Sequence, residues 1–272
     1  MPPVNRVTAV FQRLRTVGRA AFMPFIAAGD PGLEATEAIL RTLQDRGVAD
    51  LVELGVPFSD PIADGPTIQA SYQRALGRGV TPQAILDTLE HLRAGGLELP
   101  VCLMVSYSLV YRPGMKAFIK GAAAAGVDGF IVPDLPADEA GPLQKALTAA
   151  GLVYVPLVAP TTTPARRQKV IAHATGFIYC VAVTGITGER SDLPTDLDEY
   201  VRGIKAEAKA PVCVGFGLSR PEHVQAVAEV ADGAIVGSAI IHRIAECGQA
   251  PPARVAEAVA DLCAHLSAPL RG

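Results

Sequence analysis

Tryptophan is absent from this chain, and aromatic residues make up only 5% of it. A core without large rings must be filled by small aliphatic side chains, and half of the residues are hydrophobic. Charge of one sign is also missing. The formal net charge is −3, so no basic footprint for nucleic acid exists, and no block of like charges marks a tail. Cysteine is sparse and scattered: Cys102, Cys180, Cys213, Cys247 and Cys263. That odd set contains no C-x-x-C pair, which reads as free thiols in a reducing compartment rather than a disulfide or zinc framework. Apolar runs are short, and none approaches the ~18 residues of a membrane span. The opening stretch "MPPVNRVTAVFQRL" is broken by Asn5, Arg6, Gln12 and Arg13 and does not read as a signal peptide. These absences point to a cytoplasmic protein that touches neither membrane nor nucleic acid.

What is present is a regular alternation. Eight short apolar runs fall at 22–28, 50–55, 100–106, 128–134, 152–159, 176–183, 210–217 and 232–239. They are near-continuous rather than alternating, as expected of strands buried on both faces of a parallel sheet. Helical patterns lie between them, such as 34–47 and 221–233, each ending near a Gly suited to a C-cap. Eight such units over this length predict an α/β fold, a (β/α)₈ TIM barrel with additional helices, over an open doubly wound sheet. Extra helices are expected at 4–17 and 66–93, with two more after the last strand. "GAAAAG" (121–126) reads as the end of a tightly packed helix. No linker interrupts the chain, so residues 1–272 read as one domain.

Barrel enzymes place their chemistry at the C-terminal ends of the strands. Glu53 lies within the last residues of the second apolar run, where its side chain can point into the barrel mouth and where packing alone would choose an apolar residue. A buried salt bridge is the competing explanation. Asp64 follows in the loop above it. Asp30, in "GDPG", suits a turn and a cap for the next helix. Asp60 reads as a turn residue, and Asp134 either braces a loop or touches a ligand. Gly-rich turns follow strands six, seven and eight: "TGITGE" (184–189), "GFG" (215–217) and "VGSA" (236–239). Phosphate is commonly held at these strand ends by backbone N–H groups and a short helix N-terminus. Ser238 adds a hydroxyl there. The five histidines fall in helical patterns away from strand ends, so the candidate chemistry uses carboxylates, with Tyr179 and Thr187 able to supply hydroxyls.

The segments "FMPFIAAGDPG", "LVELGVPFSDPIADGPTIQ", "VPDLP", "VTGITG", "GFGLSRPEHV" and "ADGAIVGSAI" closely resemble the tryptophan synthase α subunit, in the expected order from about residue 20 to 245. "ELGVPFSDPIADGP" is the most specific part. The resemblance implies a carbon–carbon lyase of tryptophan biosynthesis. It would cleave indole-3-glycerol phosphate to indole and glyceraldehyde 3-phosphate by a retro-aldol-type reaction. It implies Glu53 and Asp64 as the catalytic pair, and a phosphate site of Gly188, Gly217, Gly237 and Ser238. The implied indole pocket contains Phe25, Met104, Ile131 and Phe216. Tyr179 would line the site, and Thr187 would sit on a closing loop.

The resemblance further implies no cofactor or metal in this chain. A separate β subunit, in an α₂β₂ complex, would carry pyridoxal phosphate and receive the indole. One departure stands out: many relatives have Tyr-Tyr-Asn-Pro after strand three, where this chain has "SYSLVY" (106–111). That loop is placed near the partner. The rival readings are a free-standing lyase with the same residues and a silent activator of the β subunit. An epimerase on the same fold is a third, but the His and metal ligands expected of it are missing.

Overall fold

The computed structural model describes residues 4–61, 64–181, 196–215 and 217–271. Its strands are β1 (Ala21–Ala27), β2 (Val52–Gly55), β3 (Val101–Met104), β4 (Gly129–Ile131) and β5 (Val153–Val155). They continue with β6 (Leu157–Val158), β7 (Ile178–Val181), β8 (Val212–Gly215) and β9 (Gly233–Val236). All pairings are parallel, in the order β5-β4-β3-β2-β1-β9-β8-β7-β6. The two ends of that order are one stretch of chain, split at Pro156. Proline has no N–H to give a ladder, and its carbonyl accepts from the Tyr179 N–H at 2.9 Å. The expected fifth strand therefore pairs with β4 by its first half and with β7 by its second, which nearly closes the barrel.

The helices in the first half are α1 (Arg6–Thr16), α2 (Leu33–Asp45), α3 (Pro66–Gly77), α4 (Pro82–Ala94), α5 (Tyr107–Tyr111) and α6 (Met115–Ala124). In the second half they are α7 (Ala140–Ala149), α8 (Pro164–Ala172), α9 (Leu197–Glu207), α10 (Pro221–Val230), α11 (Ser238–Glu246) and α12 (Pro252–Ser267). The segment 66–93 is thus two helices, each opened by a proline at its first turn, where a missing N–H costs nothing. The helical pattern at 221–233 stops at Val230, and Gly233 opens β9 instead of capping a helix. "GAAAAG" does end a packed helix, α6, whose Ala122 is buried. "SYSLVY" holds the single turn and a half of α5.

The bottom of the barrel is held by a repeated device. Asp50, Asp128 and Asp232 each precede a strand and accept the N–H of Phe22, Val101 and Val212 on the neighbouring strand, at 2.8–2.9 Å. Each also faces a cation: Arg19 for Asp50, Arg93 for Asp128 and Lys205 for Asp232. Helix α1 lies under this end. Asn5 caps it by accepting from the Val7 N–H, and donates to the carbonyls of Asp128 and Gly151. This polar scaffold keeps the strand starts in register and leaves the opposite end free for chemistry.

Candidate active site

Strand register decides which side chains face inward. Phe25 pairs with Glu53, and Glu53 with Cys102; on the far wall Tyr179 pairs with Cys213. Because strand side chains alternate, the next inward positions toward the C-terminal end are Gly55, Met104, Val181 and Gly215. A cavity of about 180 Å³ opens there. It is lined by Phe25, Met104, Leu157, Tyr179 and Val181 from the strands, and by Asp64 and Ile68 from α3 and its approach. Pro133, Gly215, Ile235 and the trio Gly217, Gly237 and Ser238 complete it.

Glu53 lies beneath this cavity rather than in its wall. It is 0% exposed, and among the described residues neither carboxyl oxygen has a hydrogen-bond partner. The salt-bridge explanation for its presence therefore fails, and so does the expectation that it opens into the barrel mouth. Burial holds its carboxyl well above the ordinary carboxylate range, because an unpaired charge in low dielectric is expensive. Asp64 borders the cavity and is less enclosed; burial pushes it up to about 6. Burial thus favours the protonated form of both carboxyls, and does so more strongly for the sealed Glu53. Such a separation of two acids by environment marks an acid–base site.

Two tyrosines flank the pair. Tyr179 and Tyr72 are both raised well above the usual phenol range, first by burial and then by the charges of Glu53 and Asp64. Glycines make room for their hydroxyls. A methyl at Gly55 would lie 2.6 Å from the Tyr72 oxygen, and one at Gly215 would collide with the Tyr179 hydroxyl.

The remaining acids have structural partners. Asp30, 1% exposed, does not cap α2, whose N-cap Gly32 has no side chain to offer. It binds Arg74 of α3 in a two-pronged contact at 2.8 and 2.7 Å. Asp134 braces a loop, accepting from the Ser106 hydroxyl at 2.7 Å and the Tyr107 N–H at 2.8 Å. Asp60 sits in the exposed turn expected of it and accepts from Ser59.

Of the residues named from the sequence, Phe25, Met104, Tyr179, Asp64, Gly217, Gly237 and Ser238 share the cavity. Ile131 is buried on β4 but is not part of its lining. Thr187, Gly188 and Phe216 lie outside the described residues. Tyr72, Ile68, Pro133, Leu157, Val181 and Ile235 escaped the sequence reading. Several carried a signal: Val181 follows Tyr179 by two, Ile235 precedes Gly237 by two, and Ile68 and Tyr72 stand one helical turn apart.

A family profile described as "Tryptophan synthase alpha chain" matches residues 11–268. The chain belongs to that family. The tryptophan synthase alpha chain of Chloroflexus aggregans is 45% identical over 257 residues, covering 94% of this chain and 95% of its own. The crystal structure of tryptophan synthase subunit alpha from Legionella pneumophila superposes with a TM-score of 0.90 at 34% identity, covering 99% of each chain. A chain of Mycobacterium tuberculosis tryptophan synthase gives 0.88 at 34% identity, covering 99% of this chain and 100% of its own. The family member is the lyase subunit that cleaves indole-3-glycerol phosphate in tryptophan biosynthesis. It needs no cofactor, pyridoxal phosphate belonging to the β subunit. Among the described residues no helix is long and apolar enough to cross a membrane.

Proposed function

We propose that Glu53 and Asp64 divide the cleavage of indole-3-glycerol phosphate between them. The observation that carries this reading is their unequal burial at one end of one barrel: a sealed acid below the cavity and a partly open one beside it. Glu53, protonated, gives its proton to indole C3. Positive charge then builds on the indole nitrogen, where ionised Asp64 stabilises it. The Glu53 carboxylate next removes the proton of the glycerol hydroxyl adjacent to the bond. The electrons of the C3–C bond return to the ring, and the fragments leave as indole and glyceraldehyde 3-phosphate. Glu53 ends as it began, protonated. Since it lies under the cavity, its flexible side chain must swing upward to reach C3.

The phosphate is assigned to Gly188, Gly217, Gly237 and Ser238. Helix α11 begins at Ser238, so its unpaired N–H groups and dipole favour an anion. Phosphate binding far from the breaking bond fixes the geometry of the reacting end. Phe25, Met104, Tyr179 and Phe216 are assigned to the indole, and Thr187 to the loop that closes over it. The whole chain, 1–272, acts as one barrel domain in the cytoplasm, within an α₂β₂ complex that passes indole to the β subunit.

The test is indole release from indole-3-glycerol phosphate by wild type and Glu53→Gln. A loss of at least ~10²-fold is expected, the scale of general acid–base catalysis; undiminished release removes Glu53 from the mechanism. Turnover with and without the β subunit tests the partner: full activity that the β subunit leaves unchanged would identify a free-standing lyase.

A further inference from the structure

Beside the main cavity lies a second, of about 40 Å³, which admits a bridging water. Its polar side chains are Asp60, Asp64, Tyr72, Ser106 and Asp134. Three of these are committed: Asp60 to Ser59, and Ser106 and Asp134 to each other. Tyr72 and Asp64 are left. The Tyr72 ring is 3% exposed, its hydroxyl rests against Gly55, and among the described residues it has no hydrogen-bond partner. The Asp64 carboxyl has none either; the contact to Gln69 uses the Asp64 main-chain carbonyl. A phenol buried for packing alone would have been a phenylalanine, because an unmet hydroxyl is costly to bury.

We propose that Tyr72 is a positioning residue for the reaction: its hydroxyl donates a hydrogen bond to the Asp64 carboxylate, directly or through one water, and holds it ionised facing the indole N–H. This rests on the role assigned to Asp64. A hydrogen bond to the charged form favours that form, which opposes the burial that raises Asp64. Of the two buried acids, Asp64 acts on Tyr72 more strongly than Glu53 does, and the order is reversed at Tyr179. The groups that face Asp64 across the small cavity are Tyr72, Asp60 and Asp134, with Glu53 below. Tyr72 can donate to Asp64 without giving up an existing bond, whereas Asp60 and Asp134 already accept from Ser59 and Ser106.

Tyr72→Phe keeps the ring and removes the oxygen. In the complex with the β subunit, the expected result is a fall in kcat of roughly 10-fold, in line with loss of a hydrogen bond to a charged group. KM for indole-3-glycerol phosphate should change little, and the acid limb of the pH profile should move upward. A kcat and acid limb that both match wild type overturn the proposal. So does a lowered Tm with an unmoved limb, which marks a packing role. Asp64→Asn separates the two readings. If it stays active, the assignment of Asp64 fails; if it is inactive while Tyr72→Phe behaves as wild type, only the role of Tyr72 fails.

Discussion

Gly55 and Tyr72 occupy one another's space: the glycine ends β2 without a side chain, and the phenol oxygen from α3 fills the gap. A methyl there would lie 2.6 Å from that oxygen and equally close to the Phe25 ring. Both neighbours belong to the cavity walls, and Glu53 lies two residues back on the same inward face. The junction of β2 and α3 is therefore where packing and chemistry meet.

Gly55→Ala should displace both rings. Overpacking of this kind costs about 1–3 kcal/mol, or a Tm lower by roughly 2–10 °C for a chain of this size. Thermal unfolding checks the stability. Turnover should fall with it, because Phe25 and Tyr72 move. An alanine variant with wild-type Tm and kcat would show that the close approach is not constraining.

The pH profile of indole release should be bell-shaped. Asp64 must be ionised, so activity falls as pH drops through about 6. Glu53 must be protonated, and burial keeps it so well above the ordinary carboxylate range, which places the other limb on the alkaline side. Steady-state rates from pH 5 to 9 measure both limbs. A profile flat between pH 5 and 7 would remove the need for an ionised Asp64.

Glu53 should lower stability at neutral pH. Its folded-state pKa lies above its unfolded value, so as pH rises the unfolded chain loses the proton first. The contribution is most favourable below the unfolded carboxylate range and declines as pH climbs through it toward the raised native value. Glu53→Met removes an unpartnered buried group, and is expected to stabilise by about 1–3 kcal/mol, more at pH 8 than at pH 5, while abolishing cleavage. Denaturant titrations at the two pH values check the sign; equal stabilisation at both would mean that the carboxyl titrates alike in the folded and unfolded chains.

Arg74 should matter although it lines neither of the two cavities described above. Its contact with Asp30 ties α3, and with it Tyr72, to the turn after β1. Arg74→Ala strands a buried carboxylate, and a charge-assisted contact of this geometry is worth about 1.5–3 kcal/mol. Lys in its place should recover only part, since an ammonium cannot reproduce the two-pronged geometry. Unfolding midpoints of the two variants give the comparison.

Much of this protein was legible in the order of its residues. Near-continuous apolar runs with intervening helical patterns require strands covered on both faces, and eight of them at this spacing lead to a barrel. Glu53 stood out because a carboxylate at the end of such a run contradicts packing. The local pattern could not show that strand five divides at Pro156, since which neighbour a strand pairs with depends on closure of the whole barrel. Nor could it show that Asp30 would find Arg74, 44 positions away, instead of capping its own helix. The depth of Glu53 was also hidden, because enclosure is a property of all the strands around it. Tyr72 is the clearest case. Along the chain it is one aromatic on a helix; only the tertiary fold brings its hydroxyl over Gly55 and beside Asp64. Residue type and spacing determined the barrel and singled out Glu53, since these follow from burial and periodicity, while Asp64 was set apart from the other loop acids by the family resemblance of its segment. Packing between distant segments decided which acid is dry, which is wet, and which neighbours hold them, because desolvation and hydrogen bonding depend on what the rest of the chain places around a group.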